Sequence, residues 1–263
     1  MADGKDINIR RVSHGSFSCG DRDIYRNKIS AEGRYSFRLD YKYSGLYIIC
    51  DRDIGSELEE PVLSFYRDIE AVIDGRPDFE KSLIPIKAMK DLPRIIKEMC
   101  GAGGVFGVGP MASIAGALCD HLAKSIGRCS FLMIENGGDV YIKSSSPLEV
   151  GIFTKNIYFG DKITLLIEAG QTPCGICSSS GSFGHSMSLG KSDLVTVLSR
   201  TATIADAAAT SIANTINCEE DINKAITRFS KYKEVEGLII IKNKRIGLWG
   251  GLQLATEIKK EKD

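Results

Sequence analysis

Apolar and polar positions along the chain recur with two different periods. Residues 33 to 50, GRYSFRLDYKYSGLYIIC, alternate aromatic or apolar with polar residues and then become continuously apolar. A period of two marks strands, and the Ser44-Gly45 pair predicts a hairpin turn between them. In SELEEPVLSFYRDIEAVIDGRP, by contrast, Leu58, Val62, Phe65, Ile69 and Ile73 recur at helical spacing. This predicts a helix with one core-facing stripe, capped by Ser56 and ended by Gly75 and Pro77. DLPRIIKEMC predicts a second helix, with Asp91 as cap and Pro93 in the first turn, that runs into the glycine-rich GAGGVFGVGP. PMASIAGALCDHLAKSIG places Met111, Ile114, Ala115, Leu118, Leu122 and Ile126 on one helical face and stops at Gly127. The following CSFLMIENGGDVYIK reads as strand, turn, strand. Further on, LVTVLS predicts a short buried strand and TATIADAAATSIANTIN an alanine-rich helix over 201–217. GLIIIKNKRIGLWGGLQL predicts two strands around a turn at Asn243-Lys244.

Strands and helices alternate without long linkers, which predicts one mixed α/β (α+β) domain over residues 1–263. A chain of 263 residues that is 43% apolar can bury a large core. Lys plus Arg equals Asp plus Glu at 34 each, so no net field draws the protein to nucleic acid or to an anionic membrane. The N-terminus lacks an apolar signal core and no window approaches a membrane span, which predicts a cytoplasmic protein. In that compartment the eight cysteines are expected as reduced thiols.

Candidate chemistry starts with residues 172–193, TPCGICSSSGSFGHSMSLGKSD, where Cys174 and Cys177 read as an exposed C-x-x-C pair. No second C-x-x-C and no paired histidines accompany it, so a zinc clip lacks half its ligands. A serine hydrolase lacks its G-x-S-x-G elbow. A thiol role or a backbone-rich binding loop remains, beside the plain reading of a glycine-rich loop with inert thiols. Backbone N–H and hydroxyl groups after Cys177 would stabilise a thiolate, and His185 would shuttle its proton. On the alanine-rich helix Asp206, Thr210 and Asn214 are spaced four apart and form one oxygen-bearing column. That column suits Mg2+, or is simply the helix's polar side. Asn136, Gly137, Gly138 and Asp139 lie at a strand end where glycines admit a ligand, or where they make an ordinary hairpin turn. GAGGVFGVGPM matches no nucleotide-binding spacing. Arg10, Arg11, Arg22, Arg26, Arg34 and Arg38 read as anion clamps or as scattered surface charge.

Taken in order, GVGPMASIAGALCDHLAKSIG, NGGD, SSSG followed by GHS, and TVLSRTATIADAAATSIANTI resemble the ApbE-like superfamily, which includes Mg2+-dependent flavin transferases. GVGPMASIAG, IENGGD, GICSSSGSFGHSMSLGKSD and ADAAATSIAN resemble more closely its smaller branch, long labelled a protein family of unknown function. There the resemblance extends over nearly the whole chain, including GRPDFEKSLIP. It implies a T-fold-like architecture of mixed sheets packed with helices, metal-binding positions at Asp206 and Thr210, and His185 near the transferases' H-x-x-D-P motif. It also implies, from archaeal members, a part in sulfur assimilation through persulfide formation on a partner protein during homocysteine synthesis. The leading expectation is therefore sulfur transfer to an acceptor cysteine on a protein partner, with Cys177 as working thiol, Cys174 as resolving partner and His185 beside them. Asn136, Gly137, Gly138, Asp139, Ser179, Ser180 and Gly181 are expected to bind a small anionic ligand. An exposed sheet edge predicts a homodimer. HSMSLGKSD stands where the transferases carry His followed by Asp-Pro and Arg-Thr-Gly, so FAD or FMN is not expected, while Mg2+ remains a candidate. A Mg2+-dependent, FAD-binding FMN transferase and a non-catalytic binding or scaffold protein are the alternatives.

Overall fold

Runs of β-branched and aromatic residues build a broad sheet, and amphipathic stripes lay helices across one of its faces. The structure is a computed structural model that describes residues 7–12, 26, 29–31, 33–160, 163–181 and 190–254. In chain order, β1 (Asn8–Arg11), β2 (Tyr35–Tyr41) and β3 (Ser44–Cys50) precede α1 (Glu59–Gly75), the short α2 (Asp78–Lys81) and α3 (Arg94–Phe106). A 3-10 turn at Pro110–Ser113 opens α4 (Ile114–Ser125), followed by β4 (Leu132–Asn136), β5 (Asp139–Lys143), β6 (Leu148–Ile152) and β7 (Ile163–Ile167). β8 (Cys174–Ser179), β9 (Leu194–Ser199), α5 (Ala202–Ala213) and α6 (Asp221–Phe229) come next. β10 (Gly237–Lys242), β11 (Arg245–Gly250) and β12 (Gln253–Leu254) follow them.

Among the described residues the large sheet has nine strands in the order β1-β2-β3-β4-β5-β8-β9-β10-β11, and a second sheet has three in the order β12-β7-β6. Every pairing is antiparallel. The main core lies between the large sheet and the helices, where Ile48, Ile134, Val197 and Ile240 meet Phe65, Ile96, Leu118 and Ile212. A second core fills the opposite face, where Ile142, Ile176 and Ile239 meet Ile152, Leu165 and Ile167 of the small sheet. The result is three layers: helices, large sheet, small sheet. The expected α/β (α+β) class is the observed one, but the described sheets are wholly antiparallel where mixed sheets were expected.

Several boundaries differ from the sequence expectation. The β2–β3 turn is at Lys42-Tyr43, because Gly45 is inside the ladder opposite Asp40 and Ser44 pairs with Tyr41. Ser56 lies in a 3-10 turn, and no side chain caps α1. The glycine-rich stretch does not form a loop: α3 continues through it to Phe106. The small sheet and α6 were not predicted; α6 is short and buries only Ile222, Ala225 and Phe229. Among the described residues no single helix is long and apolar enough to cross a membrane.

Candidate functional site

The β4–β5 hairpin turns on Gly137 and Gly138, whose φ values of 68° and 104° lie in the left-handed region that favours glycine. Asn136 and Asp139 face each other across this turn. Its backbone is braced from beneath, since Gly138 N donates to Glu135 Oε1 at 2.9 Å. Glu135 in turn pairs with the guanidinium of Arg26, Nε to Oε2 at 2.7 Å, and Arg26 Nη2 donates to Gly45 O at 2.6 Å. Arg26 is 1% exposed and Glu135 2%. Arg26 is thus neither a surface charge nor an anion clamp. A glutamate inside the apolar strand LMIEN was the available sequence signal, because a buried carboxylate needs a partner.

α5 is nearly engulfed: of its residues only Ile204 is not fully buried. Small side chains allow this. A Cβ on Gly116 of α4 would lie 2.2 Å from Ala202 O, so glycine is required where α4 crosses α5. The start of α5 is held by Thr201, whose Oγ1 accepts from Ile204 N at 3.3 Å. Asp120 of α4 does more: its carboxylate accepts from Ala202 N at 3.1 Å, Thr203 N at 2.9 Å and Thr203 Oγ1 at 2.6 Å. Sequence reasoning missed Asp120, although a carboxylate between Cys119 and His121 on a core helix signals such an anchor.

This framing places Asp206, Asp139 and Thr210 together, 7%, 7% and 5% exposed. Asp206 Oδ2 accepts from Gly116 N at 3.0 Å, while Asp139 Oδ1 has no hydrogen-bond partner. Burial pushes Asp206 up to about 7, although the N–H groups of Gly116 and Ala115 oppose the shift. Burial, and then the Asp206 carboxylate, push Asp139 well above the usual carboxylate range. Two buried acids that destabilise each other's charge form an electronegative focus that a cation would relieve. Beside them opens a cleft of about 1940 Å³, lined by Asn136 to Asp139, Ser178 to Gly181, Thr210 and Asn214. Asp206 itself lies one helical turn before Thr210 and is not part of that lining. The NGGD turn, Ser178 to Gly181 and the alanine-rich helix thus border one cleft, while residues 182–189 of the serine-rich segment lie outside the described residues.

The cysteine reading needs correction. Residues 174–179 are not an exposed loop but a central strand, and both thiols are 0% exposed. Three residues apart on a strand, they point to opposite faces. Cys174 packs in the small-sheet core and Cys177 in the helix-side core, where its Sγ donates to Ala202 O at 3.3 Å. They cannot resolve one another. Burial pushes Cys174 up to about 12, and burial together with Asp139 and Asp206 pushes Cys177 well above the usual thiol range. A sulfur-carrying thiolate needs the reverse. Among the described residues the exposed cysteine is Cys218. His185 lies outside the described residues.

A nine-stranded sheet between helices and a small sheet, with an acid-bearing alanine helix at its cleft, defines an ApbE-like protein. The flavin transferase ApbE of Vibrio cholerae shares this fold with a TM-score of 0.53 at 13% identity, the match covering 82% of this chain and 96% of that one. The ApbE protein of Thermotoga maritima does so with a TM-score of 0.52 at 12% identity, covering 84% and 97%. Over residues 26–233 the chain matches the family described as AbpE bacteria, and it belongs to that family. The UPF0280 protein of Methanobrevibacter smithii is 38% identical over 211 residues, 77% of this chain and 88% of the relative. That of Archaeoglobus fulgidus is 32% identical over 227 residues, 82% and 92% respectively. The expectation that FAD and FMN are unlikely ligands is overturned by the first of these structures, a flavin transferase built on the same fold.

Proposed function

We propose that this chain is a cation-dependent flavin transferase that binds FAD in the cleft and moves its FMN portion onto a protein acceptor. The observation that carries the reading is the buried cluster of Asp139, Asp206 and Thr210 beside a cleft of dinucleotide size, with Asp139 Oδ1 left unpartnered. These residues fit Mg2+: a hard cation takes one or two carboxylates plus hydroxyl, water and phosphate oxygens. Asp206 and Thr210 would hold it, with Asp139 Oδ1 facing the same charge. When bound, the ion would neutralise charge on a pyrophosphate as a Lewis acid.

The chain's own residues do the rest. The Gly137-Gly138 turn presents backbone without side chains, so a bulky ligand can come close. Ser179 Oγ is buried without a partner at the same cleft and offers a hydroxyl for hydrogen bonding. Burial and the Asp206 carboxylate disfavour the ionised form of Asp139, and a bound cation would favour it. Transfer itself forms a bond from an acceptor hydroxyl oxygen to the FMN-side phosphorus and breaks the bridging P–O bond. AMP leaves, and the hydroxyl proton is released.

FAD and Mg2+ supplied to the purified protein, with water as the surrogate acceptor, are expected to give FMN and AMP in equal amounts by chromatography. Asp206→Asn and Thr210→Val should abolish this turnover. FAD binding that is insensitive to both chelator and Asp206→Asn would remove the basis of the reading.

A further inference from the structure

A second cluster of donor atoms lies away from the Asp139–Asp206 pair. Cys50 ends β3, Asp51 follows it, and Cys129 precedes β4; the two Sγ atoms and a carboxylate oxygen all lie within 4.8 Å of one another. Cys50 pairs with Leu132, whereas Asn136 at the glycine turn pairs with Leu46. Four steps along the strand therefore separate the cluster from the glycine turn, roughly 13 Å at the usual rise; the cleft lining reaches Ile49 and Phe131 nearby, which pack in a different core cluster from Cys50.

The loop that brings Cys129 here is tied down. Gly127 N donates to Glu57 Oε2 at 2.9 Å, Arg52 Nε to Arg128 O at 3.0 Å, and Ser130 N to Asp51 Oδ2 at 2.7 Å. Asp51 N closes the set on Phe131 O at 3.3 Å. Asp51 Oδ2 is thereby occupied, and Ser130 Oγ donates to it as well. Asp51 Oδ1 is turned toward the Cys50 thiol, 3.5 Å away. The guanidinium of the neighbouring Arg52 is matched by both oxygens of Glu57. The three donors are thus held in place, and among the described residues no ion pair is formed by Asp51.

We infer that Cys50, Cys129 and Asp51 form a site for a thiophilic divalent cation such as Zn2+, separate from the Asp139, Asp206 and Thr210 cluster. Two sulfurs and one oxygen are a borderline-soft donor set, suited to Zn2+ and not to Mg2+. Around a tetrahedral ion with Zn–S of about 2.3 Å and Zn–O of about 2.0–2.2 Å, donors lie about 3.5–3.8 Å apart, so small shifts complete the geometry. Three protein ligands leave the fourth position to water or another molecule. Cys50 is buried, Cys129 half-buried and Asp51 exposed, so the ion enters from the Asp51 side. Binding exchanges two thiol protons for one divalent ion, and both protons pass to solvent.

The test uses the full chain, reduced and stripped with a chelator, then titrated with Co2+. One equivalent is expected to produce the near-ultraviolet sulfur-to-cobalt charge-transfer band and intense tetrahedral visible bands, both removed by Zn2+. Excess Mg2+ should leave the band in place, which separates this site from the Asp139, Asp206 and Thr210 cluster and its fate from that of the transferase reading. Cys129→Ser and Cys50→Ala are each expected to lose the band and to weaken Zn2+ binding at least about a hundredfold, the upper end of what losing even an outer-shell partner costs. Cys218→Ser should change neither. Where Cys50→Ala fails to fold, the half-buried Cys129→Ser carries the test. Absence of the band in folded, reduced protein, or its persistence in Cys129→Ser, overturns the inference.

Discussion

Burial raises Asp206 to about 7 even though Gly116 N–H donates to it, so its ionised form is tolerated at a cost. The sign follows from linkage. In the unfolded chain the group ionises near pH 3.9, so between about pH 4 and 7 the folded state holds the extra proton and stability falls as pH rises. Asp206→Asn keeps an acceptor for Gly116 N and removes the charge. It is expected to raise the stability of the cation-free protein by about 1–4 kcal/mol near pH 8, at ~1.4 kcal/mol per tenfold shift in ionisation. Thermal melts of both proteins between about pH 5 and 8 should converge at the acid end. A second expectation concerns sulfur. Cys174 is on the far face of β8 from Asp206, so Cys174→Ala should leave FAD binding and turnover unchanged in fluorescence and chromatographic assays. Loss of turnover there would restore a thiol to the chemistry.

The crossing of α4 and α5 sets where Asp206 sits. A Cβ on Gly116 would meet Ala202 O at 2.2 Å and Asp206 Cβ at 3.0 Å. Gly116→Ala therefore overpacks the crossing and is expected to cost about 1–3 kcal/mol in denaturant melts. Because it pushes α5 from the site, Mg2+ affinity should fall along with stability. Much of this element-level picture was legible beforehand. The alanine-rich helix, the NGGD hairpin and the terminal hairpin around Asn243 all announce themselves by period or turn chemistry. The register Asp206, Thr210, Asn214 gave the polar column directly. The strand CGICSS did not read as one, because serine and glycine look like a loop until a helix made of alanine covers them. C-x-x-C also carries a meaning from loops and helix ends that a strand's alternation cancels. Asp120 and the Arg26–Glu135 pair stayed hidden because their partners lie 82 and 109 residues away in sequence.

At the scale of the whole molecule, Arg26 ties the chain's early segment to the hairpin that borders the cleft. Removing it leaves the Glu135 carboxyl buried without its guanidinium partner, still bonded to Gly138 N. Arg26→Ala is expected to destabilise the protein by about 3–5 kcal/mol, as when one partner of a buried pair is lost. Chemical denaturation measures that. A matched Arg26→Met, Glu135→Met double variant should recover much of it. The three-layer arrangement also has a temporal side. The small sheet's edge at β7 is covered by Gln253 and Leu254, which pair with Leu166 and Leu165. The strand they cover precedes them by almost ninety positions in the order of synthesis. A nascent chain emerging from the ribosome therefore carries β6 and β7 with the β7 rim still unpaired while all of α5, α6, β10 and β11 is still to come. Such a rim is a template for pairing with another chain. Chaperone capture during translation is expected to centre on residues 148–167, and to end only when the last described strand is released.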